Sequence, residues 1–302
     1  MAKSTSVNKI LFISLNNIGD TILSLPVLDS LREKFPQAKI TIITGPRPKE
    51  IFEANPDSGE VIVFYKQAKL KDKIKLFFKL KDENFDLVVD LRNSFFGFML
   101  SAKHKIFPFT IIPRDIVHMK ERFLWLAGLP EAKEKKSLFV SGDDEAFTGD
   151  LFGANYISSS VKVIVISAGA RSHTKRWPKE KFLELIVRLG KKFKAQIILA
   201  GDEDDAVITK YIADNAGVPV IDLAGRTTFG QLAALLKKAD LVISNDSAVL
   251  HMASYLDAPV VAIFGITNEL KFRPWSKEST VVKKEIYCRP CEKAQCPNRA
   301  LK

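Results

Sequence analysis

Short apolar runs recur along this chain, each followed by a small polar turn and then by a stretch with helical apolar spacing. That alternation restricts the fold more than any other feature, because it implies parallel sheets covered on both faces by helices. Residues 9–15 (KILFISL) open the pattern as a buried strand. Residues 21–35 follow as a helix with Ile22, Leu25, Leu28, Leu31 and Phe35 on one face. Further strands are expected at 40–44, 61–65 and 87–91, and helices at 66–82, 94–101 and 118–127. After a less regular stretch, strands recur at 161–167, 196–200, 220–223, 241–244 and 260–264. The helices between and after them fall at 178–193, 204–216, 228–238 and 247–256.

The 302 residues make about two domains at ~150 residues each. Residues 131–160 lose the apolar period, with a possible strand at 138–140, so the junction is placed there. The expected division is 1–150 and 151–302. Two α/β domains in tandem leave a cleft, and ligands of open α/β sheets sit at the carboxyl ends of the strands. The loops directly after strands are therefore where functional residues are expected.

Lys and Arg outnumber Asp and Glu by 46 to 35, a net charge of +11, which favours an anionic partner. No recognition helix or RNA-binding motif is present, so nucleic acid is not the expected partner. No run reaches the ~18 apolar residues of a membrane span. MAKSTSVNKI enters the first strand without a signal-peptide hydrophobic region, and a cytoplasmic protein is expected. Cys288, Cys291 and Cys296 have a zinc-like spacing but no evident fourth ligand.

Four post-strand loops carry the chemistry. In the first, Leu15-Asn16-Asn17-Ile18-Gly19-Asp20-Thr21, Asp20 fits two roles, a helix N-cap or a general base. The second runs from Ser167 to Pro178. Lys175 and Arg176 there precede a helix that Pro178 opens at its first position, which makes either an anion site or a basic loop capped by a buried Trp177. His173 is expected to face solvent. In the third, Ala200-Gly201-Asp202-Glu203, the acid either accepts from ribose hydroxyls or caps the next helix. The fourth, Ser244-Asn245-Asp246-Ser247-Ala248-Val249-Leu250-His251, leads into a helix whose N-terminus suits a diphosphate. His251 is either part of that site or a core histidine. Thr267 adds a hydroxyl after the next strand.

Residues 66–81 carry seven lysines and one acid. Leu70, Ile74, Phe77 and Phe78 share a face, which fits a surface helix packed on the core or one that meets an anionic membrane. Residues 95–100 (FFGFML) are either core or a surface for a lipid acceptor.

Together these motifs resemble glycosyltransferase family 9, the ADP-heptose:lipopolysaccharide heptosyltransferases. The residues that carry the resemblance are Ile18-Gly19-Asp20, Lys175-Arg176-Trp177-Pro178, Asp246-Ser247-Ala248 with His251, Gly265-Ile266-Thr267, and the tail from Cys288-Arg289-Pro290-Cys291 to Cys296-Pro297. Ala248 stands where the family usually has glycine. The sequence also ends soon after Cys296, where relatives usually continue into a further helix. Asn93-Ser94 is closer to the second heptosyltransferase type than to the first. The resemblance implies a GT-B fold, two Rossmann-like domains facing a central cleft, with the acceptor on the first and the donor mainly on the second. It implies inverting, metal-independent transfer with no cofactor, from an ADP-heptose donor to an anionic lipid-linked saccharide, with peripheral contact at the inner membrane's cytoplasmic face. By the same resemblance Asp20 is the base, Lys175 a diphosphate contact, Glu203 a ribose contact, and Arg176, Asp246, Ser247, Ala248, His251 and Thr267 belong to the donor site. Asn17, Arg92, Asn93 and Ser94 are expected on the acceptor side. The alternatives are a relative with another nucleotide sugar and acceptor, or a nucleotide-sugar-binding protein without turnover.

Overall fold

In the computed structural model, which describes residues 7–65, 67–106, 111–293 and 295–296 without the Phe95 side chain, every strand among the described residues pairs in parallel with its neighbours. The chain divides into two units, Met1–Phe139 and Val140–Lys302. The first runs β1 (Lys9–Ile13), α1 (Ile18–Lys34), β2 (Lys39–Thr44), α2 (Lys49–Glu53), β3 (Val61–Val63), α3 (Leu70–Asp82), β4 (Leu87–Asp90), α4 (Phe95–Met99), β5 (His104–Ile106) and α5 (Met119–Ala127). Its five-stranded sheet has the order β3-β2-β1-β4-β5. One face of that sheet carries Leu11, Ile13, Ile43 and Val88, packed against Leu80 of α3 and Phe96 of α4. Helix α1 is buried from Thr21 to Leu31 and packs against α5.

The second unit runs α6 (Gly142–Ala154), β6 (Lys162–Ser167), α7 (Lys179–Lys192), β7 (Ala195–Leu199), α8 (Ala206–Asn215), β8 (Val220–Asp222), α9 (Phe229–Lys238), β9 (Leu241–Asn245), α10 (Ala248–Tyr255), β10 (Val260–Phe264), α11 (Glu269–Phe272) and β11 (Ser279–Lys283). Single 3-10 turns lie at His173–Lys175 and Glu203–Asp205. Its six-stranded sheet has the order β11-β10-β9-β6-β7-β8, the doubly wound order of dinucleotide-binding folds. The strands are fed by apolar residues such as Ile164, Ile166, Ile197, Leu199 and Ile243, with Phe182 and Ile186 of α7 laid across them.

Several expectations are corrected. Residues 138–140 form no strand. The backbone just before them is held by side chains instead: the buried Asp29 carboxylate accepts from the Lys136 and Ser137 N–H groups at 3.0 and 2.8 Å, and Asn55 donates to the Lys136 carbonyl. The irregular stretch 131–160 contains α6, which begins with a capping box between Ser141 and Asp144. This helix packs on α9, so a division at 150 cuts through an element of the second unit. Helix α1 starts at Ile18 rather than residue 21, and Pro178 is the N-cap of α7 rather than its first helical residue. Helix α3 begins at Leu70, and Lys66 lies outside the described residues. No helix among the described residues is long and apolar enough to cross a membrane.

Asp29 also accepts from the Ser137 hydroxyl at 2.7 Å, beside the two backbone donors. Asp29→Ala strands those donors in a buried place and is expected to cost about 3 kcal/mol in urea unfolding. Asp29→Asn, which keeps an acceptor oxygen, is expected to recover about half of that loss.

Candidate functional site

In a doubly wound sheet the connections leave in opposite directions on either side of one strand pair, and the two loops there diverge to leave room for a ligand. The sheet orders place that point between β1 and β4 in the first unit and between β6 and β9 in the second. Ile13 is in register with Asp90, and Ser167 with Ser244, so the two loops start level in each case. The loops concerned are 14–17 and 91–94 in the first unit, and 168–178 and 246–247 in the second. Most of the sequence-expected site residues lie on these four loops and the helices that follow them.

In the second unit the loops are tied by Asn245, which is fully buried at the end of β9. Its amide donates to the Ala168 and Gly169 carbonyls at 2.8 and 3.2 Å, and its oxygen accepts from the Trp177 N–H at 3.0 Å. Trp177 packs edge-on against Phe182, which fixes the end of the loop. Lys175 is thereby aimed at Asp246, with Nζ 2.7 Å from Oδ2, and the Asp246 carboxylate is buried. The second Asp246 oxygen faces His251 Nε2 at 3.7 Å, and the His251 ring stacks on Trp275. His251 is buried, as a core histidine would be, and it borders the acidic centre of the loop.

Helix α10 starts directly after this pair. Its N-cap Ser247 makes no side-chain cap; the hydroxyl shares a 3.0 Å hydrogen bond with Ser244 instead. The first-turn amides, Ala248 onward, thus receive no acceptor from the N-cap side chain and, with the helix dipole, favour an anion. Thr267, after β10, is buried with its hydroxyl unpaired. That loop is braced from the tail: the Cys291 N–H donates to the Ile266 carbonyl, and Arg289 donates to the Thr267 carbonyl and Glu269. The Cys-Arg-Pro-Cys stretch therefore has a structural task here. Among the described residues no three His, Cys, Asp or Glu side chains gather to hold a metal ion, these cysteines included. Pro297 lies outside the described residues.

Glu203 is exposed on the 3-10 turn after β7, where Asp202 rather than Glu203 caps the turn. Gly225 backs this turn in a left-handed conformation, φ +69°, and a Cβ there would stand 3.1 Å from the Glu203 Cα. Asp205 closes the capping box with Asp202 and lies against Gly169, where a Cβ would fall 1.9 Å from the carboxylate oxygen. Arg176 turns back to the Ala170 carbonyl at 2.7 Å. Burial, aided by the Asp202 charge and opposed by Arg176, raises the Asp205 pKa to about 6. Asp205, Gly169 and Gly225 support these loops without an individual signature in the sequence. The only sequence signal was small or acidic residues directly after strands. His173 is exposed, as expected.

In the first unit Asp20 occupies the first turn of α1 rather than its N-cap, which is Asn17. The Asn17 amide donates to Asp20 Oδ2 at 2.9 Å. Across the switch point, Asp90 is buried and gathers the β4–α4 loop around itself, accepting from the Arg92 N–H and from both the N–H and hydroxyl of Ser94. Burial raises its pKa. Gly97 is required below it, since a Cβ would lie 2.2 Å from Asp90 Oδ2. Asn93 is exposed at the tip, with φ +57°. Arg92 donates from Nε to the Ser14 carbonyl at 2.9 Å, while its Nη2 is buried with no hydrogen-bond partner. The Ser94 hydroxyl is thus committed within the protein.

The family described as Glycosyltransferase family 9 (heptosyltransferase) matches residues 112–302. The lipopolysaccharide heptosyltransferase 3 of Escherichia coli is 28% identical, over 85% of this chain and 84% of its own length. The structure of E. coli ADP-heptose lipopolysaccharide heptosyltransferase II superposes with a TM-score of 0.73 at 23% identity, covering 91% of this chain and 90% of that one. E. coli heptosyltransferase WaaC with ADP superposes at 0.68 and 19% identity, covering 92% and 93%. The shared fold is GT-B.

The Asp205 carboxyl binds its proton more tightly in the folded chain than at its ordinary value of 3.8. The fold therefore loses stability as pH rises through about 4 to about 6, and the loss is complete above that. At 1.36 kcal/mol per pH unit it amounts to about 3 kcal/mol. Asp205→Asn is expected to flatten this part of the stability curve in denaturant titrations between pH 4 and 7, and an unchanged slope would contradict it.

Proposed function

The chain belongs to glycosyltransferase family 9, the heptosyltransferases, and from that premise we propose that it moves a heptose from ADP-heptose to the core of a lipopolysaccharide. It is a glycosyltransferase. The observation that carries the donor reading is the Lys175–Asp246 pair beside the uncapped start of α10. A leaving diphosphate gains negative charge, and a lysine plus a helix N-terminus offer it stabilisation that is already oriented. In this reading the diphosphate competes with Asp246 for Lys175, Glu203 accepts from the ribose hydroxyls, and the Thr267 hydroxyl donates to the donor. Lys175, Arg176 and the helix dipole supply the positive field that a divalent cation supplies elsewhere.

The second unit is proposed as the donor domain and the first as the acceptor domain. Asp20 takes the proton of the acceptor hydroxyl as its oxygen bonds to the anomeric carbon, while the bond to ADP breaks on the opposite face, so configuration inverts. Arg92 and Asn93 are proposed to meet the anionic saccharide, with Asn17 orienting Asp20. A lipid-linked acceptor places the reaction at a membrane face, and peripheral contact there is part of the proposal.

ADP at ~100 times its dissociation constant is expected to add about 2.7 kcal/mol of stability. Lys175→Ala is expected to weaken ADP binding about tenfold or more, the worth of one charge-assisted hydrogen bond. No shift with any nucleotide would refute the donor site. Transfer is expected to survive excess EDTA; loss restored by magnesium would refute the electrostatic part. Asp20→Asn keeps a hydrogen-bonding side chain in the first helical turn and is expected to cost under about 1 kcal/mol in stability. Turnover is expected to fall by ~10²-fold or more with ADP affinity unchanged. Near-normal turnover would reduce Asp20 to a helix-terminus residue.

A further inference from the structure

Helix α3 turns part of its apolar face outward. It packs on the first sheet through Leu76, Phe77 and Leu80. Leu70, Ile74 and Phe78, whose shared face fits either core packing or membrane contact in the sequence, are 72%, 47% and 54% exposed. Four-residue steps advance by about 40° around a helix, so these three form a continuous stripe beside the buried one. Lys71, Lys75 and Lys79 form the next stripe round, and Lys69, Lys73 and Lys81 add to the charge. Among the described residues, only Lys79 of these six lysines is drawn into an ion pair, with Glu60. Helix α4 packs on the same face of the sheet and leaves Phe98 67% exposed, with Met99 exposed beside it in sequence.

A soluble helix buries its long apolar side chains and exposes its lysines. One that also exposes Leu, Ile and Phe next to a row of lysines has the composition of a helix lying in a membrane interface. There the apolar stripe enters the acyl boundary and the lysines meet anionic headgroups. We infer that the α3 face, with Phe98 and Met99 of α4, docks the first unit on an anionic lipid bilayer. Charge complementarity selects this occupant: the basic row favours a negative surface, and self-association would bring like-charged rows together. The inference deepens the peripheral contact proposed above and names its surface.

Sedimentation with vesicles of phosphatidylglycerol and phosphatidylethanolamine tests it, with neither donor nor acceptor present, so the outcome stands apart from whether heptosyl transfer is found. The protein is expected to bind these vesicles, to bind pure phosphatidylcholine vesicles far less, and to be released by salt. Ile74→Glu with Phe78→Glu is expected to lower partitioning about tenfold or more. Lys71→Gln and Lys75→Gln are expected to lower it about fivefold each. Val207→Glu, at an exposed apolar position on α8 of the second unit, is expected to change nothing. All these side chains are exposed, and unchanged melting and ADP affinity confirm that the variants fold. Equal binding by the Ile74/Phe78 variant, or no binding by the wild type, would overturn the inference. So would a dimer in light scattering that this variant abolishes, since the face would then cover a second copy.

Discussion

The Lys175–Asp246 ion pair is the interaction on which the proposed donor site depends. Asp246 is buried at the end of β9, and a buried carboxylate needs a cation or several hydrogen bonds. Its cation comes from the loop after β6, on the other side of the switch point. Asn245 pins that loop with three hydrogen bonds, so Lys175 is delivered by backbone geometry rather than by chance. The pair is a store as well as a lock. With its Nζ held beside the start of α10, Lys175 is poised where a second anion, the diphosphate, would gain most from it.

The first unit repeats the device with different chemistry. Asp90 is buried at the end of β4, but its partners are the amides of its own loop and the Ser94 hydroxyl rather than a lysine. The loop is therefore rigid without being strongly charged at its centre. Arg92, anchored to the Ser14 carbonyl across the switch point, presents the cation. One unit thus holds a cation paired with a buried carboxylate, and the other a cation anchored to a backbone carbonyl.

Most strands were legible because a strand covered on both faces must be apolar throughout, and such runs stand out between polar turns, whereas β5 and β11, short and largely exposed, were not read. The site loops were legible because topology puts them directly after those strands. What was not legible depended on contacts between distant residues. Helix α6 buries little beyond Thr148, so it lacks an apolar period, although its Ser141–Asp144 box was there to be read. Gly169 is forced by the Asp205 carboxylate and Gly225 by the turn at Glu203, and neither contact has a local signature. Periodicity showed that α3 is amphipathic but not which part of its apolar arc meets the sheet; Phe77 turned inward, and Leu70, Ile74 and Phe78 did not.

The claim at the centre is that the second unit holds a nucleoside diphosphate between Lys175 and the start of α10. A crystal structure of the protein with ADP measures this directly. The result expected is a diphosphate oxygen within hydrogen-bond distance of Lys175 Nζ and of a first-turn amide of α10, with the 2.7 Å contact to Asp246 lengthened or shared. ADP bound elsewhere on the chain, or at the start of α10 with Lys175 still closed on Asp246 alone, would contradict it.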